Sequence, residues 1–208
     1  KEMLIPEHYN KMKIAMDSGA SRDELKIVAN EIRRELNPHP DGQLEHNVPM
    51  LDGHKFTGMQ HNYRETVLFF PSQGQTCHAY CSFCFRWPQF VGMDEWKFAM
   101  KETELLVKYL QKHTEVTDLL FTGGDPMIMK NKIFATYIDA LIEADIPNLQ
   151  TIRIGTKALG YWPYKFLTED DAEDTLRTFE KIVKSGKNLA IMAHFNHPAE
   201  LSTDAVKQ

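Results

Sequence analysis

Short apolar runs and amphipathic stretches alternate along residues 63–208 of the chain. The apolar runs have the length of buried strands; they are TVLFF (66–70), TDLLF (117–121), TIRIGT (151–156) and NLAIMA (188–193). Between these runs, apolar residues recur at helical spacing in three stretches, 95–112, 131–144 and 169–185. Such alternation predicts an α/β fold with a parallel sheet and right-handed helical crossovers, as a barrel or as an open doubly wound sheet.

A different pattern occupies residues 1–62. Ser21 and Glu24 fit the S-x-x-E sequence of a capping box, and apolar residues at helical spacing follow, so a helix is predicted over residues 21–36. The sequence NPHPDG then ends this helix. Residues 38–62 are rich in His, Pro, Gly and Asn, which predicts a linker or lid rather than a regular element. The chain thus divides into a helical amino-terminal extension with its linker, and the α/β domain.

Composition narrows the function. The 208 residues are 42% hydrophobic and 25% charged, which is typical of a globular protein with one domain. The net charge of -5 gives no general electrostatic reason to expect a nucleic-acid or membrane partner, so a small-molecule substrate is expected. No apolar run approaches the roughly 18 residues of a membrane span, and no secretion signal is present, which predicts a cytoplasmic protein.

The residues most typical of chemistry follow the four predicted strands. The cysteine-rich segment QTCHAYCSFCFRWPQF follows the first strand and TGGDP the second, while GTKALGYWP follows the third and HFNHP the fourth. Parallel α/β folds collect ligands and catalytic groups at the carboxyl ends of their strands. We therefore expect these four segments to meet at one site.

All three cysteines of the chain, Cys77, Cys81 and Cys84, lie within eight residues. They could be buried structural cysteines, or part of a zinc site with His78 or a more distant histidine as fourth ligand. The third interpretation is an iron–sulfur cluster. A cubane cluster has four irons, and electron-transfer clusters usually bind each through a Cys. Three thiolates would leave one iron open to a substrate or cofactor, which favours a catalytic cluster.

A second pair of candidate metal ligands is His194 and His197, in the spacing H-x-x-H. Pro198 follows at once and the pair comes after a strand, so no helix would place both rings on one face. We predict that this segment borders a binding pocket. A strand-end turn capped by Asn196 is the alternative.

The spacing C-x3-C-x2-C, with the aromatic Phe83 directly before the last cysteine, resembles the signature of the radical S-adenosylmethionine superfamily. The resemblance implies that Cys77, Cys81 and Cys84 bind a 4Fe-4S cluster. It also implies that the open iron binds S-adenosylmethionine, from which an electron supplied by the cluster releases a 5′-deoxyadenosyl radical.

Further segments resemble the lysine 2,3-aminomutase family from about Phe56 to Leu201: CSFCFR, TGGDP, IRIGT and HFNHPAEL, in this order. The resemblance implies a partial parallel (β/α) barrel with about four strands, and a 2,3-aminomutase acting on lysine or a similar amino acid. It implies that Arg86 binds the substrate carboxylate through its planar, two-pronged guanidinium. The residues it implies for cofactor binding are Phe83, Gly123, Gly124, Asp125, His194 and Asn196.

The chain also departs from the family. Trp87 stands where many members carry a second basic residue, which leaves substrate specificity open. By resemblance the enzyme uses pyridoxal phosphate, but the lysine that binds it lies in a segment past Gln208, so the chain is expected to be an amino-terminal fragment or one half of an assembly. The expected partners are an amino acid and an electron donor such as a flavodoxin or ferredoxin, with a homo-oligomer left open. A radical S-adenosylmethionine enzyme without pyridoxal phosphate, and a non-enzymatic metal-binding module, are the alternatives.

Overall fold

The structure is a computed structural model that describes residues 5–36, 42, 44–79, 81 and 83–208. Its strands are β1 (Met50–Leu51), β2 (His54–Lys55), β3 (Met59–Tyr63), β4 (Thr66–Phe69), β5 (Asp118–Phe121), β6 (Thr151–Thr156) and β7 (Asn188–Ala193). Its helices are α1 (Pro6–Asp17), α2 (Arg22–Leu36), α3 (Thr103–Lys112), α4 (Asn131–Glu143), α5 (Ala158–Tyr161), α6 (Tyr164–Leu167), α7 (Ala172–Lys184) and α8 (Asp204–Lys207). Single 3₁₀ turns lie at Ser72–Gly74, Trp87–Phe90, Asp94–Trp96, Pro126–Ile128 and Pro198–Leu201.

Five strands form the central sheet in the order β3-β4-β5-β6-β7. The last four are the predicted strands, and each pairs in parallel with its neighbour in the chain. β3 adds an antiparallel strand beside β4, at the edge of the sheet. The predicted α/β class, with a partial parallel barrel of about four strands and a helical amino-terminal extension, is therefore confirmed.

One face of the sheet packs against helices. Along β4, β5 and β6 every second residue is buried, and the residues between them are half-buried. The buried positions join apolar residues of α3 and α4 in one core, in which the rings of Phe69 and Phe121 lie 5.4 Å apart. This burial fixes the register of the strands, because a shift by one residue would turn the apolar set to the other face. No helix within the described ranges is long and apolar enough to cross a membrane.

The amino-terminal part contains more regular structure than predicted. The capping box of α2 is confirmed, since the Ser21 amide donates to Glu24 (2.7 Å) and the Glu24 amide donates to the Ser21 hydroxyl (3.3 Å). The prediction of a linker over residues 38–62 is wrong where it can be compared, because β1 and β2 form a hairpin and β3 joins the sheet. Residues 38–41 and 43 of that prediction lie outside the described part.

The helix predicted over residues 95–112 begins later, at Thr103. Before it, residues 95 and 96 belong to the 3₁₀ turn Asp94–Trp96 and Lys97 is extended. Met100 forms a parallel bridge with Pro71 through the hydrogen bond from its amide to the Phe70 carbonyl (2.9 Å). Phe98 is fully buried against Phe70, with ring centroids 5.0 Å apart. Its apolar character comes from this contact and not from a helical face, which explains the error. The other two predicted helices are confirmed as α4 and α7.

Candidate functional site

A cavity of about 400 Å³ lies where the carboxyl ends of β4, β5, β6 and β7 meet. All four segments predicted to converge contribute to this region, because parallel strands end at one edge of the sheet. Asn196 contacts this region through a hydrogen bond from its side-chain amide to Cys81 Sγ. The other residues predicted from the sequence line the cavity directly: Cys77, Cys81, Phe83, Cys84, Arg86, Gly123, Gly124, Asp125 and His194. Their placement together is shown, while their individual roles stay predictions.

The three thiols are half-buried and border the same cavity. Burial raises the pKa of the Cys84 thiol, and electrostatic repulsion from Cys77 and Cys81 adds to the rise, against hydrogen bonds from backbone amides. The Ala79 amide donates to Cys77 Sγ at 3.4 Å. Since the Cys84 thiol resists ionisation in this setting, a cation bound here would help to stabilise a thiolate.

The donor set of this loop fits an iron–sulfur cluster. Three soft sulfur ligands border one cavity, and such ligands select clusters and soft metals. His78, the candidate fourth ligand of a zinc site, is less well placed, because its ring packs against Trp162 with 5.3 Å between the ring centroids. Among the residues that the structure describes, no three Cys, His, Asp or Glu side chains already stand as a metal site, so the thiols would have to adjust on binding.

The rings of His194 and His197 make different contacts. The His197 ring accepts a hydrogen bond from the Ala199 amide (3.1 Å) and so caps the 3₁₀ turn that follows. The His194 ring lies 5.8 Å from the exposed ring of Phe83, at the border of the cavity. The two rings thus make different contacts, and the turn is capped by His197, not by Asn196 as the alternative had it.

The glycine turn after β5 packs against the start of the cysteine loop. A Cβ on Gly124 would lie 2.5 Å from the Thr76 carbonyl oxygen, and one on Gly123 would lie 2.2 Å from the Gln75 side chain. Gly123 also has a φ of 123°, which side chains rarely allow. The next amide, of Asp125, donates to the Thr76 carbonyl at 2.8 Å. Close backbone packing is therefore one physical reason for both glycines.

Asp125 connects this turn to the end of β6. Its carboxylate accepts hydrogen bonds from the Thr156 hydroxyl (2.7 Å), the Lys157 amide (2.8 Å) and the Met127 amide (3.0 Å). Burial raises the pKa of Asp125, and these hydrogen bonds oppose the rise. Both oxygens are thus engaged by protein groups, which supports a positioning role beside the predicted cofactor contact.

Arg86 lies in a cradle of aromatic rings and amides at the border of the cavity. Its guanidinium donates to Gln60 (2.7 Å) and to Gln89 (3.4 Å), and it stands 4.6 Å from the centre of the Phe70 ring and 5.2 Å from that of Phe85. Burial lowers the pKa of Arg86 to about 10, against the attraction of Cys84, so the group is still charged at neutral pH. No carboxylate of the described residues forms an ion pair with it, and the cation can accept an anionic ligand.

Sequence reasoning missed two residues here. Gln60, which holds the Arg86 guanidinium, fell inside the predicted linker, although it lies on β3. Lys157 follows β6; its side chain is 5% exposed and its ammonium donates to Glu200 (2.6 Å) and to the His194 carbonyl (3.3 Å). A lysine directly after a strand of apolar residues was the available signal. The departure at Trp87 is a buried ring, 6.4 Å from Trp96.

The chain resembles several known proteins over most of its length, although no model of a known protein family matches it. A protein of Aquifex aeolicus named "Putative L-lysine 2,3-aminomutase" is 35% identical over 153 residues, 74% of this chain and 39% of its own length. L-lysine 2,3-aminomutase of Haemophilus influenzae is 31% identical over 144 residues, 68% of this chain and 38% of its own length. The Bacillus subtilis enzyme of that name is 28% identical over 150 residues, 72% of this chain and 29% of its own length. The matched region is thus well under half of each relative, and over that region the chain belongs to the lysine 2,3-aminomutase family.

Proposed function

We propose that the chain carries the cluster and S-adenosylmethionine site of a radical S-adenosylmethionine aminomutase, an isomerase. One observation carries the proposal: Cys77, Cys81 and Cys84 border a single cavity together with Arg86, in a chain related to L-lysine 2,3-aminomutases. The 2,3-amino shift of lysine or a similar amino acid is proposed for the longer protein, since the chain matches less than half of its relatives.

The thiolates of Cys77, Cys81 and Cys84 would hold a 4Fe-4S cluster. When bound, the cluster would supply the one electron needed for reductive cleavage of S-adenosylmethionine into methionine and a 5′-deoxyadenosyl radical. The protein's own task is to keep the three sulfur atoms on one side of the cavity. Thr76, at the start of their loop, packs closely against Gly124, and this contact would keep the loop in place.

The cavity's other borders would position the cofactor and exclude water. The turn at Gly123 and Gly124 exposes backbone that can accept hydrogen bonds from the methionyl amine. Asp125 holds this turn against β6, and the rings of Phe83 and His194 border the cavity at its opening. Apolar borders of this kind strengthen electrostatic interactions inside the site.

Arg86 would bind the carboxylate of the amino acid. Its guanidinium is charged, half-buried and held by neutral amides and rings, so binding an anion does not require breaking an ion pair. A planar guanidinium bonds a carboxylate through two parallel N–H donors, which fixes the orientation of the substrate as well as its position.

Pyridoxal phosphate and the protein partners belong to the proposal for the longer protein. No residue of this chain is assigned to pyridoxal phosphate. An electron donor such as a flavodoxin or ferredoxin would reduce the cluster. A reducing compartment such as the cytoplasm suits three reduced thiols.

The cluster is tested by anaerobic reconstitution with iron and sulfide. We expect a brown protein with an electron paramagnetic resonance signal. The signal should change when S-adenosylmethionine is added, because S-adenosylmethionine would bind at the open iron. Cys77→Ala, Cys81→Ala and Cys84→Ala should each lose the signal, while Ser72→Ala should keep it. A cluster with full iron content in the triple cysteine variant contradicts the proposal, and a signal indifferent to S-adenosylmethionine favours a metal-binding module.

Arg86→Lys tests the aminomutase assignment in the full-length enzyme with pyridoxal phosphate. The variant keeps the charge but loses the two-pronged geometry, so amino-acid turnover should fall at least tenfold. Cluster content and reductive cleavage of S-adenosylmethionine should stay near the parent level, and Arg177→Lys on the exposed face of α7 serves as the matched control. Loss of the cluster in Arg86→Lys would mean that Arg86 balances the thiolates instead.

A further inference from the structure

The loop that follows β7, residues 194–200, contacts the cysteine loop through a side-chain hydrogen bond. The amide nitrogen Nδ2 of Asn196 donates to Cys81 Sγ across 3.2 Å. These residues are 115 positions apart in the chain, so the bond exists only because β4 and β7 end at the same edge of the sheet. An N–H aimed at a sulfur atom stabilises negative charge on it.

An ion pair between the buried Lys157 and the partly buried Glu200 holds Asn196 in this position. One carboxylate oxygen of Glu200, Oε2, accepts both the Asn196 backbone amide (3.2 Å) and the ammonium of Lys157 (2.6 Å). Lys157 also donates to the His194 carbonyl (3.3 Å), so its ammonium binds the loop at both ends. The Lys157 side chain is 5% exposed and that of Glu200 17%, so solvent screens this pair far less than a surface pair. The end of β6 therefore fixes the loop that carries Asn196.

We propose that Asn196 is a positioning residue for the sulfur of Cys81, and that the pair of Lys157 and Glu200 holds Asn196 in place. The inference rests on the proposed function in that Cys81 is taken as a cluster ligand. Hydrogen bonds to the sulfur ligands are among the factors that set the reduction potential of an iron–sulfur cluster. An N–H donated to Cys81 favours the more negative, reduced cluster and so raises its potential.

The contact itself is tested without any cluster, in the apo-protein, by nuclear magnetic resonance of the side-chain amides. The Asn196 NH₂ signals are identified by their loss in Asn196→Ala. In Cys81→Ala they should shift upfield, because the sulfur acceptor is gone, and in Glu200→Gln they should move in the same direction. Cys77→Ala is the matched control and should leave them in place. Identical Asn196 signals in the parent and in Cys81→Ala would overturn the contact.

The effect on the cluster is tested by potentiometric titration of the reconstituted full-length protein, followed by electron paramagnetic resonance. Asn196→Ala should keep its iron and show a more negative midpoint potential than the parent, and Glu200→Gln should show a smaller shift in that direction. Ser202→Ala, in the next turn of the same segment, should match the parent. A parent protein that binds no iron contradicts the proposed function. In that case the contact between Asn196 and Cys81 is decided by the nuclear magnetic resonance signals of the apo-protein. A parent that binds the cluster and has the same midpoint potential as Asn196→Ala overturns the inference.

Discussion

Gly124 shows at the scale of one residue how the site is built. A Cβ at this position would lie 2.5 Å from a backbone oxygen of Thr76, so either the turn or the cysteine loop must shift in Gly124→Ala. We expect Gly124→Ala to lower the free energy of unfolding by about 1–3 kcal/mol, the usual cost of overpacking. Urea denaturation measures it. Gly155→Ala is the control, because a Cβ there meets nothing closer than 3.6 Å. Equal destabilisation by the two substitutions would contradict this explanation.

Asp125 gives a second prediction at the residue scale. Its carboxylate accepts one hydroxyl and two amide hydrogen bonds, and an Asn amide can replace only some of these acceptors. Asp125→Asn should therefore lower the free energy of unfolding by about 1–3 kcal/mol, the cost of leaving a buried donor unpaired. Asp139→Asn is the matched control, since Asp139 lies on the surface and pairs with an exposed Lys181. Unchanged stability of Asp125→Asn would show that its hydrogen bonds are not needed to hold the turn.

The residues found from the sequence and those missed differ in a physical way. Cysteine, glycine and arginine residues that follow a predicted strand can be recognised in the sequence by residue type and local spacing. Lys157 and Gln60 act through partners that are 43 and 26 positions away, Glu200 and Arg86. Such contacts depend on which strands are neighbours and on their register. A single sequence does not specify these distances.

At the scale of elements, a charge pair between the buried Lys165 and the partly buried Asp171 lies at the start of α7. The ammonium of Lys165, on α6, is 2% exposed and lies 2.8 Å from the carboxylate of Asp171, which also accepts the Asn131 amide of α4 (2.5 Å). Asp171→Ala would leave that ammonium buried without its anion. We expect a loss of about 3 kcal/mol in the free energy of unfolding. Calorimetry measures it, with the exposed Asp174→Ala as control.

Retention of parent stability in Asp171→Ala would mean that Lys165 finds another partner or moves to solvent. The double variant Lys165→Met, Asp171→Ala separates the two causes. It removes the uncompensated charge and should recover most of the stability, because replacing both members of a buried pair is often nearly neutral. A double variant as unstable as Asp171→Ala alone would contradict this account of the pair.

Asp52, in the turn of the β1–β2 hairpin, forms ion pairs with two lysines of α3, which predicts a pH effect. Asp52, in the hairpin turn, lies 2.7 Å from Lys108 and 2.8 Å from Lys112, and these two cations lower the pKa of Asp52 to about 2. Because the folded pKa is depressed, this contribution to stability is complete above the unfolded value near 3.9 and is lost as the pH falls toward 2. Carbon-13 titration of the carboxyl should give a pKa of about 2 in the parent. Lys108→Ala should raise it, and Lys184→Ala should not.

Elements with a repeated pattern were predictable and those defined by long-range contacts were not. The four parallel strands, α2, α4 and α7 each carry their own periodicity. The segment before α3 is apolar as well, but Phe98 is buried by Phe70, a residue of another segment. β3 carries polar residues and is formed by pairing with β4, which supplies the hydrogen bonds. Local sequence therefore specifies an element only where its burial follows its own period.

For the whole molecule, the sheet has two unequal edges. β5 lies in its middle, with neighbours on both sides and with Leu119 and Phe121 fully buried. β7 pairs only with β6 within the described ranges, and Met192 on β7 is 47% exposed. An edge strand exposes unpaired backbone groups to water. Stability should therefore fall from the middle of the sheet toward β7.

Native-state hydrogen exchange measures this gradient. We expect the amides of β5 to exchange only through global unfolding and those of β7 to exchange at least about tenfold faster, through local opening with a lower free energy. The helix α7, which contacts β7, should follow the faster group at its end nearest to that strand. The amides of α4 are the control and should behave as β5 does.

In the full-length protein the same experiment asks whether β7 remains an edge, because a further strand paired to it would slow its exchange to the rate of β5. Equal protection of β5 and β7 in the 208-residue chain itself would contradict the gradient and indicate that another molecule covers this edge.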